Sequence, residues 1–316
     1  MENVRIPNKL NLLITLINFP LSLTAIVVGN LNPNYLPLCI LLFAFLHLNN
    51  YAILHEATHS NLNSTKQLNY WLGVLTGIIF PTSFSIATLT HTKHHCCNRT
   101  DHEMFDYYYP SDNLFFKFGQ WYSVLLGGFW PVAILGNLII FIYPNFPKSK
   151  LIQNIRSGQR MLEDLNSEII TRIRFEILFI ICFWAFMIHF FNISIWTLLL
   201  FYLAAGFNWS TRQYITHAYS KRDVWAGAIN LRTNFLHEIF LLYGNWDLQH
   251  HLHPNLPWIY LKKSARNKKP KTSYLRQYIK MWKGPRKNYE TAPKPISLKE
   301  YFNGDKRERH SSQNIN

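Results

Sequence analysis

Residues 10–29 read LNLLITLINFPLSLTAIVVG, twenty positions without an Asp, Glu, Lys or Arg. About 20 predominantly apolar residues in a helix cover the hydrocarbon core of a bilayer, so this stretch predicts a membrane span. It lacks a short apolar core ending in a small-residue cleavage site, and so reads as a span and not as a cleavable signal. The turn Asn30-Leu31-Asn32-Pro33-Asn34 follows, and residues 35–54 are a second uncharged run. Two spans joined by so short a turn make a hairpin, which returns His55 to the side of the N-terminus. Arg5 and Lys9 precede the first span, and flanking positive charge marks the cytoplasmic side.

Further along, residues 68–89 are apolar but broken by Gly73, Gly77 and Pro81, and residues 115–143 carry Gly127, Gly128 and Pro131 in their middle. Such residues bend or break a helix, so both stretches are expected to be interfacial or re-entrant. Residues 144–174 are polar and of mixed charge and read as a cytoplasmic segment. Residues 175–191 and 194–209 form a second hairpin around Asn192, with Glu176 expected to reach the interface at one end. The predicted fold is an all-α integral membrane protein. It has four transmembrane helices in two hairpins, interfacial or re-entrant helices, and a cytoplasmic cap. Both termini are expected in the cytoplasm. Residues 10–258 are read as the membrane domain and 259–316 as a basic cytoplasmic tail.

The composition agrees with this division. The 316 residues are 48% hydrophobic and carry a net charge of +15. From Trp258 onward, 16 Lys/Arg stand against 4 Asp/Glu, so +12 of that charge lies in the tail. A basic tail fits anionic lipid headgroups, an acidic protein partner, or the bias that holds a loop in the cytoplasm. Nucleic acid is the least suitable partner for a chain otherwise embedded in a membrane. Four cysteines without a framework spacing fit a reducing compartment.

Histidine supplies the chemistry. His55 and His59 are four apart. His91, His94 and His95 stand at i, i+3 and i+4. Asp247, His250 and His251 repeat that spacing with a carboxylate first. On a helix, each set shares one face. Neutral imidazole is the commonest metal ligand, and a nitrogen-rich set with one or two oxygens suits iron, copper, zinc or nickel better than magnesium or calcium. Seven histidines and an aspartate exceed the needs of one tetrahedral zinc, so two metals sharing them is the economical reading. His189, near the far turn of the second hairpin, and His102 and His237, which lack the spacing, are left outside. His253, two residues past His251, falls off the shared face if the helix continues.

The pattern HxxxH, HxxHH and a late HH followed by Leu-x-Pro resembles the membrane fatty acid desaturase superfamily, the histidine-box di-iron desaturases and hydroxylases. The similarity covers roughly residues 35–261. It includes HTKHHCCNRTDHEMFD (residues 91–106), RQYITH (residues 212–217) and NLRTNFLHEIFLLYGNWDLQHHLHPNLPW (residues 230–258). The resemblance implies two iron ions (Fe2+/Fe3+) held by His55, His59, His91, His94, His95, His217, His250 and His251, with no catalytic residue beyond the metal ligands. Asn245 matches an asparagine that reaches the metal through water. Asp247 stands where the family usually has histidine. It is read here as an anionic ligand that lowers the reduction potential, with acceptance of a hydrogen bond from a ligand histidine as the alternative.

The implied activity is dioxygen-dependent desaturation of fatty acyl chains of membrane lipids, with electrons from an external donor of the ferredoxin or cytochrome type. No flavin or nicotinamide fingerprint is visible. A carotenoid or other lipid hydroxylase or ketolase of the same superfamily is the alternative. A membrane metal-binding or transport protein is a third reading. It fits less well, because transporters hold their ligands near the bilayer midplane, whereas these histidines follow the ends of the apolar runs.

Overall fold

The computed structural model describes residues 4–266 and 270–302. Helices α1 (Asn8–Leu31) and α2 (Leu36–Thr58) form the first hairpin. In α1 the buried positions are Asn11, Thr15, Asn18, Ser22, Ala25, Ile26 and Gly29, while Leu13, Leu16, Ile17 and Leu21 face outward. Small and polar residues inside with leucines outside is the reverse of a water-soluble helix. It is the pattern of a helix packed by close contact and hydrogen bonds with lipid around it. Asn18 Nδ2 donates to the Leu46 carbonyl and to Asn49 Oδ1, each at 3.0 Å, tying α1 to α2.

Helices α3 (Lys66–Ile79) and α4 (Phe84–Cys97) meet at 97°, and α5 (Leu114–Leu125) and α6 (Phe129–Ile142) at 93°. Both breaks fall where glycine and proline predicted them. At the first, a Cβ on Gly77 would lie 2.5 Å from the Thr82 carbonyl oxygen, so no larger residue fits the corner. At the second, Gly127 has φ +97°, a left-handed conformation that favours glycine. The corner between α3 and α4 is also held by Glu176. Its carboxylate accepts from the Ser83 and Ser85 hydroxyls, the Ser85 amide and Tyr70 Oη. Glu176 was expected at the interface. It is instead 1% exposed, because four donors replace the water that its charge would otherwise seek.

Short helices α7 (Lys150–Gln153) and α8 (Arg156–Leu162) lead to α9 (Ser167–Phe190) and α10 (Ile195–Ser210). By length and composition α1, the segment Pro33–Thr58 and α9 can each cross a membrane, and the count reaches five if each bent pair is one span. The expected fourth span, α10, has 16 residues and falls short of that length. The chain is therefore mostly helical with three to five candidate spans.

The remaining chain builds a cap with α11 (Phe235–Phe240), α12 (Asp247–Leu252), α13 (Trp258–Ser264) and α14 (Tyr274–Met281). Two short parallel pairings close it. Strand β1 (Tyr107–Tyr108) pairs with β4 (Arg286–Lys287), and β2 (Leu231–Arg232) with β3 (Thr272–Ser273). The basic segment beyond Trp258 thus packs back onto the cap over its described residues. The Ile296 amide donates to the Cys96 carbonyl at 3.0 Å, and Tyr301 is buried. Residues 267–269 and 303–316 of the expected tail lie outside the described residues. Under the cap, Arg99 is fully buried and its guanidinium bonds Asp106 Oδ1 at 2.6 Å and Tyr214 Oη at 2.7 Å. This pair fixes the loop after α4 to the turns after α10.

Candidate metal centre

Four elements bring histidines together beneath the cap. Helix α2 ends in His55 and His59. The last two turns of α4 supply His91, His94 and His95. The turns after α10 supply His217, and α12 supplies Asp247, His250 and His251. The i, i+4 spacing aims each set at the others as expected.

The nitrogens fall into two groups. Those of His55, His59, His91 and His250 lie within 4.8 Å of one another, and so do those of His94, His217 and His251. His95 stands between the groups. Its Nε2 is 3.1 Å from Nε2 of both His91 and His250, and its ring is 4.4 Å from that of His251. His59 Nε2 and His91 Nε2 are 2.7 Å apart. Facing imidazole nitrogens leave at least one lone pair directed at another unless protons or a cation lie between them. A divalent cation would accept from all of them.

Asp247 borders the second group, with Oδ2 3.2 Å from His217 Nε2 and 3.8 Å from His251 Nε2. Burial alone would raise this carboxyl. The imidazoles of His251 and His217 beside it hold it well below the usual carboxylate range. It is an anion at neutral pH. Burial pushes the imidazoles of His59, His250 and His251 well down, which keeps them uncharged and able to ligate. Asn245 is fully buried. Its Nδ2 donates to the Leu231 carbonyl at 2.8 Å, and its Oδ1 has no partner among the described residues.

Outward-facing bonds set the tautomers of His94 and His217 in the second group. Glu103 Oε2 is 2.6 Å from His94 Nδ1, and the Gly227 carbonyl is 3.0 Å from His217 Nδ1. Each acceptor places a proton on Nδ1 and leaves Nε2 bare, which is how ligand histidines are oriented in metal sites. The donor set, the bare nitrogens and the anionic Asp247 together fit a pair of nitrogen-ligated transition metals.

Three participants escaped the spacing argument. Glu103 lies in the acidic run after the second box, but nothing in its position there singles it out. Gly227 acts through its backbone, which leaves no mark in sequence. Tyr301 packs its ring 5.5 Å from that of His95 from the far end of the chain. The histidines left aside stand elsewhere. His189 is exposed at the end of α9. His102 Nδ1 lies 3.1 Å from the Arg156 carbonyl, and His237 bonds Thr233 and Arg212.

The family model described as fatty acid desaturase matches residues 33–284, which contain every histidine of both groups. The chain belongs to the fatty acid desaturase family. No curated protein matches it. As a member of that family it is an enzyme, and its two buried histidine groups are consistent with the family's di-iron centre.

Proposed function

We propose that this desaturase family member holds an iron pair and uses dioxygen to insert a double bond into a lipid acyl chain. In this reading His55, His59, His91 and His250 hold one iron and His94, His217 and His251 the other. His95 contributes at their junction, Asp247 ligates beside His217, and Asn245 reaches the metal through water. The observation that carries it is the meeting of two buried imidazole groups through His95, within a chain whose family match spans both.

The iron pair, when bound, supplies oxidising power sufficient to take hydrogen from an unactivated carbon. The chain's own residues do the rest. Tyr51, its ring 6.4 Å from that of His55, and Phe80 beside it exclude water on the acyl side of the centre. Glu103 and the Gly227 carbonyl fix the imidazoles, and the cap keeps solvent out. Electrons come from an external carrier of the ferredoxin or cytochrome type. We place its dock on the cytoplasmic face, at the end of α13, where Lys263 and Arg266 are exposed, while Lys262 is taken up by Glu238 at 2.6 Å. Lys263→Glu should slow reduction by the carrier at low salt and matter less at high salt. Equal rates at low salt would remove this dock.

Mass spectrometry of lipids from a host expressing the chain tests the reaction. Loss of two hydrogens from an acyl chain is expected. Gain of one oxygen would instead make it a hydroxylase, and labile zinc in place of iron would remove the oxidative reading altogether.

A further inference from the structure

Helix α14 buries a glutamine and exposes its large apolar residues. Gln277 is 1% exposed, and its Nε2 donates to the Ala218 carbonyl at 2.6 Å and to the Ile215 carbonyl at 3.3 Å. Met281 is fully buried on the same side. Outward stand Leu275 and Ile279, 67% and 58% exposed, and Trp282, just past the end of the helix, at 39%. These three lie at i, i+4 and i+7 and form one stripe. Arg276, Lys280 and Lys283 have the same spacing and form a basic stripe beside it. The two hydrogen bonds of Gln277 fix the rotation of the helix, so the apolar stripe cannot turn inward.

The neighbours of α14 set its level. Tyr278 Oη is 3.0 Å from Thr211 Oγ1, where α10 ends beneath the cap. The Met281 carbonyl accepts from Trp121 Nε1 at 2.9 Å, on α5, whose Phe115 and Phe116 are exposed. The ring of Tyr274 lies 4.6 Å from that of His237 on α11, which exposes Phe235 and Leu236. Helix α11 in turn is tied to the candidate span Pro33–Thr58, through Asn49 Nδ2 and the Phe240 carbonyl at 2.8 Å. Three helices of the cap thus present large apolar side chains outward beside the spans. Charge singles out α14 among them. Residues 274–287 hold five Lys/Arg and no Asp/Glu. Lys280 Nζ and the Arg286 guanidinium lie 4.9 and 4.0 Å from the centre of one ring, that of Tyr219. Burial, and then the Arg286 and Arg276 guanidiniums, push the Lys280 ammonium down, and an anion placed beside such crowded cations would relieve them.

We infer that α14 lies in the interface of the bilayer, with Leu275, Ile279 and Trp282 among the acyl chains and its cations on the headgroups of anionic lipids. A helix with an apolar stripe, a basic stripe and a tryptophan is the form that rests in this interface, and long basic side chains reach back from it to the phosphates. An acidic soluble carrier would match the charge but not the apolar stripe. A second copy of this chain, packed across a two-fold axis, would set cations against cations. Part of the segment read from sequence as a cytoplasmic tail is therefore a membrane-contacting element. Through Gln277, the helix that meets lipid also holds the turn that bears His217.

The test uses the full-length, iron-loaded protein in nanodiscs, with Cys182→Ser to remove the exposed cysteine. A bimane label at Ile279→Cys is compared with one at Lys263→Cys on α13. Lipids brominated on their acyl chains should quench the label at position 279 and spare that at 263, and iodide in the water should do the reverse. Brominated phosphatidylglycerol, as a minor component of phosphatidylcholine, should reach the label at 279 about fivefold more effectively than brominated phosphatidylcholine at the same fraction, the attraction of about one cation to an anionic surface. With Arg276→Gln and Lys283→Gln together, both at exposed positions, that preference should fall to about twofold or less, and retained iron shows that the variant has assembled. Quenching of both labels by iodide alone places α14 in water and overturns the inference. Shielding of position 279 from both quenchers means that protein covers it, and overturns the inference as well. Equal quenching by the two brominated lipids, or a preference unchanged in the double variant, overturns the assignment to anionic lipid.

Discussion

The two histidine groups differ in how they are held. In the second, His94 and His217 each donate an outward hydrogen bond, to Glu103 and to the Gly227 carbonyl, and Asp247 adds a charge. In the first, the nearest counterpart is Glu56 Oε1, 3.8 Å from His55 Nδ1 and too far for a hydrogen bond. The ring nitrogens of His59 and His91 meet each other, and Nδ1 of His250 has no partner. The second group is therefore set by the cap before any metal arrives, whereas the first is set by where α2, α4 and α12 meet. Helix packing positions a side chain but does not choose its tautomer, so the first group depends on its metal more than the second does.

The most severe way to break this contrast is to remove the residue common to both. His95→Ala should abolish turnover and lose both irons, seen by metal analysis of the purified protein. Retention of one full equivalent would separate His95 from one group. Glu103→Gln acts on one side only. It should weaken metal binding at the second group about 10- to 100-fold, the usual effect of losing a partner of a ligand histidine, and leave the first unchanged. Titration with a chelator would show one iron leaving early. Loss of both irons together would mean that the groups are not independently held.

The smallest expected effect lies outside both groups. Burial, and then the nearby Arg212 guanidinium, push His237 down to about 4, against an ordinary value near 6.5. Between those values the unfolded chain binds the proton and the folded one does not. Stability from this residue is thus complete above pH 6.5 and declines as pH falls toward 4. His237→Gln should flatten that part of a melting-temperature profile without changing iron content. An unchanged slope would show that other groups govern it.

Much of this arrangement is legible in sequence. Spacing of three and four residues gave the faces of all three boxes, the uncharged runs gave α1 and α2, and the apolar run from residue 175 gave the later part of α9, which begins earlier, at Ser167. Glycine and proline marked both corners. What could not be read has a physical reason in each case. Glu176 reads as an interfacial charge because its four donors come from residues about 90 to 106 positions away. The segment after Trp258 is rich in Lys and Pro and reads as a solvated tail. Its order comes from short parallel pairings and a few contacts, among them Tyr301 against His95, that no periodicity announces.

That last contact bears on what can reach the centre. Tyr301 lies against His95, and the Ile296 amide holds the same stretch to the Cys96 carbonyl. An ion or chelator that approaches His95 from that side meets this segment first, so exchange of the metal by that route is coupled to local opening of a segment that carries no ligand of its own.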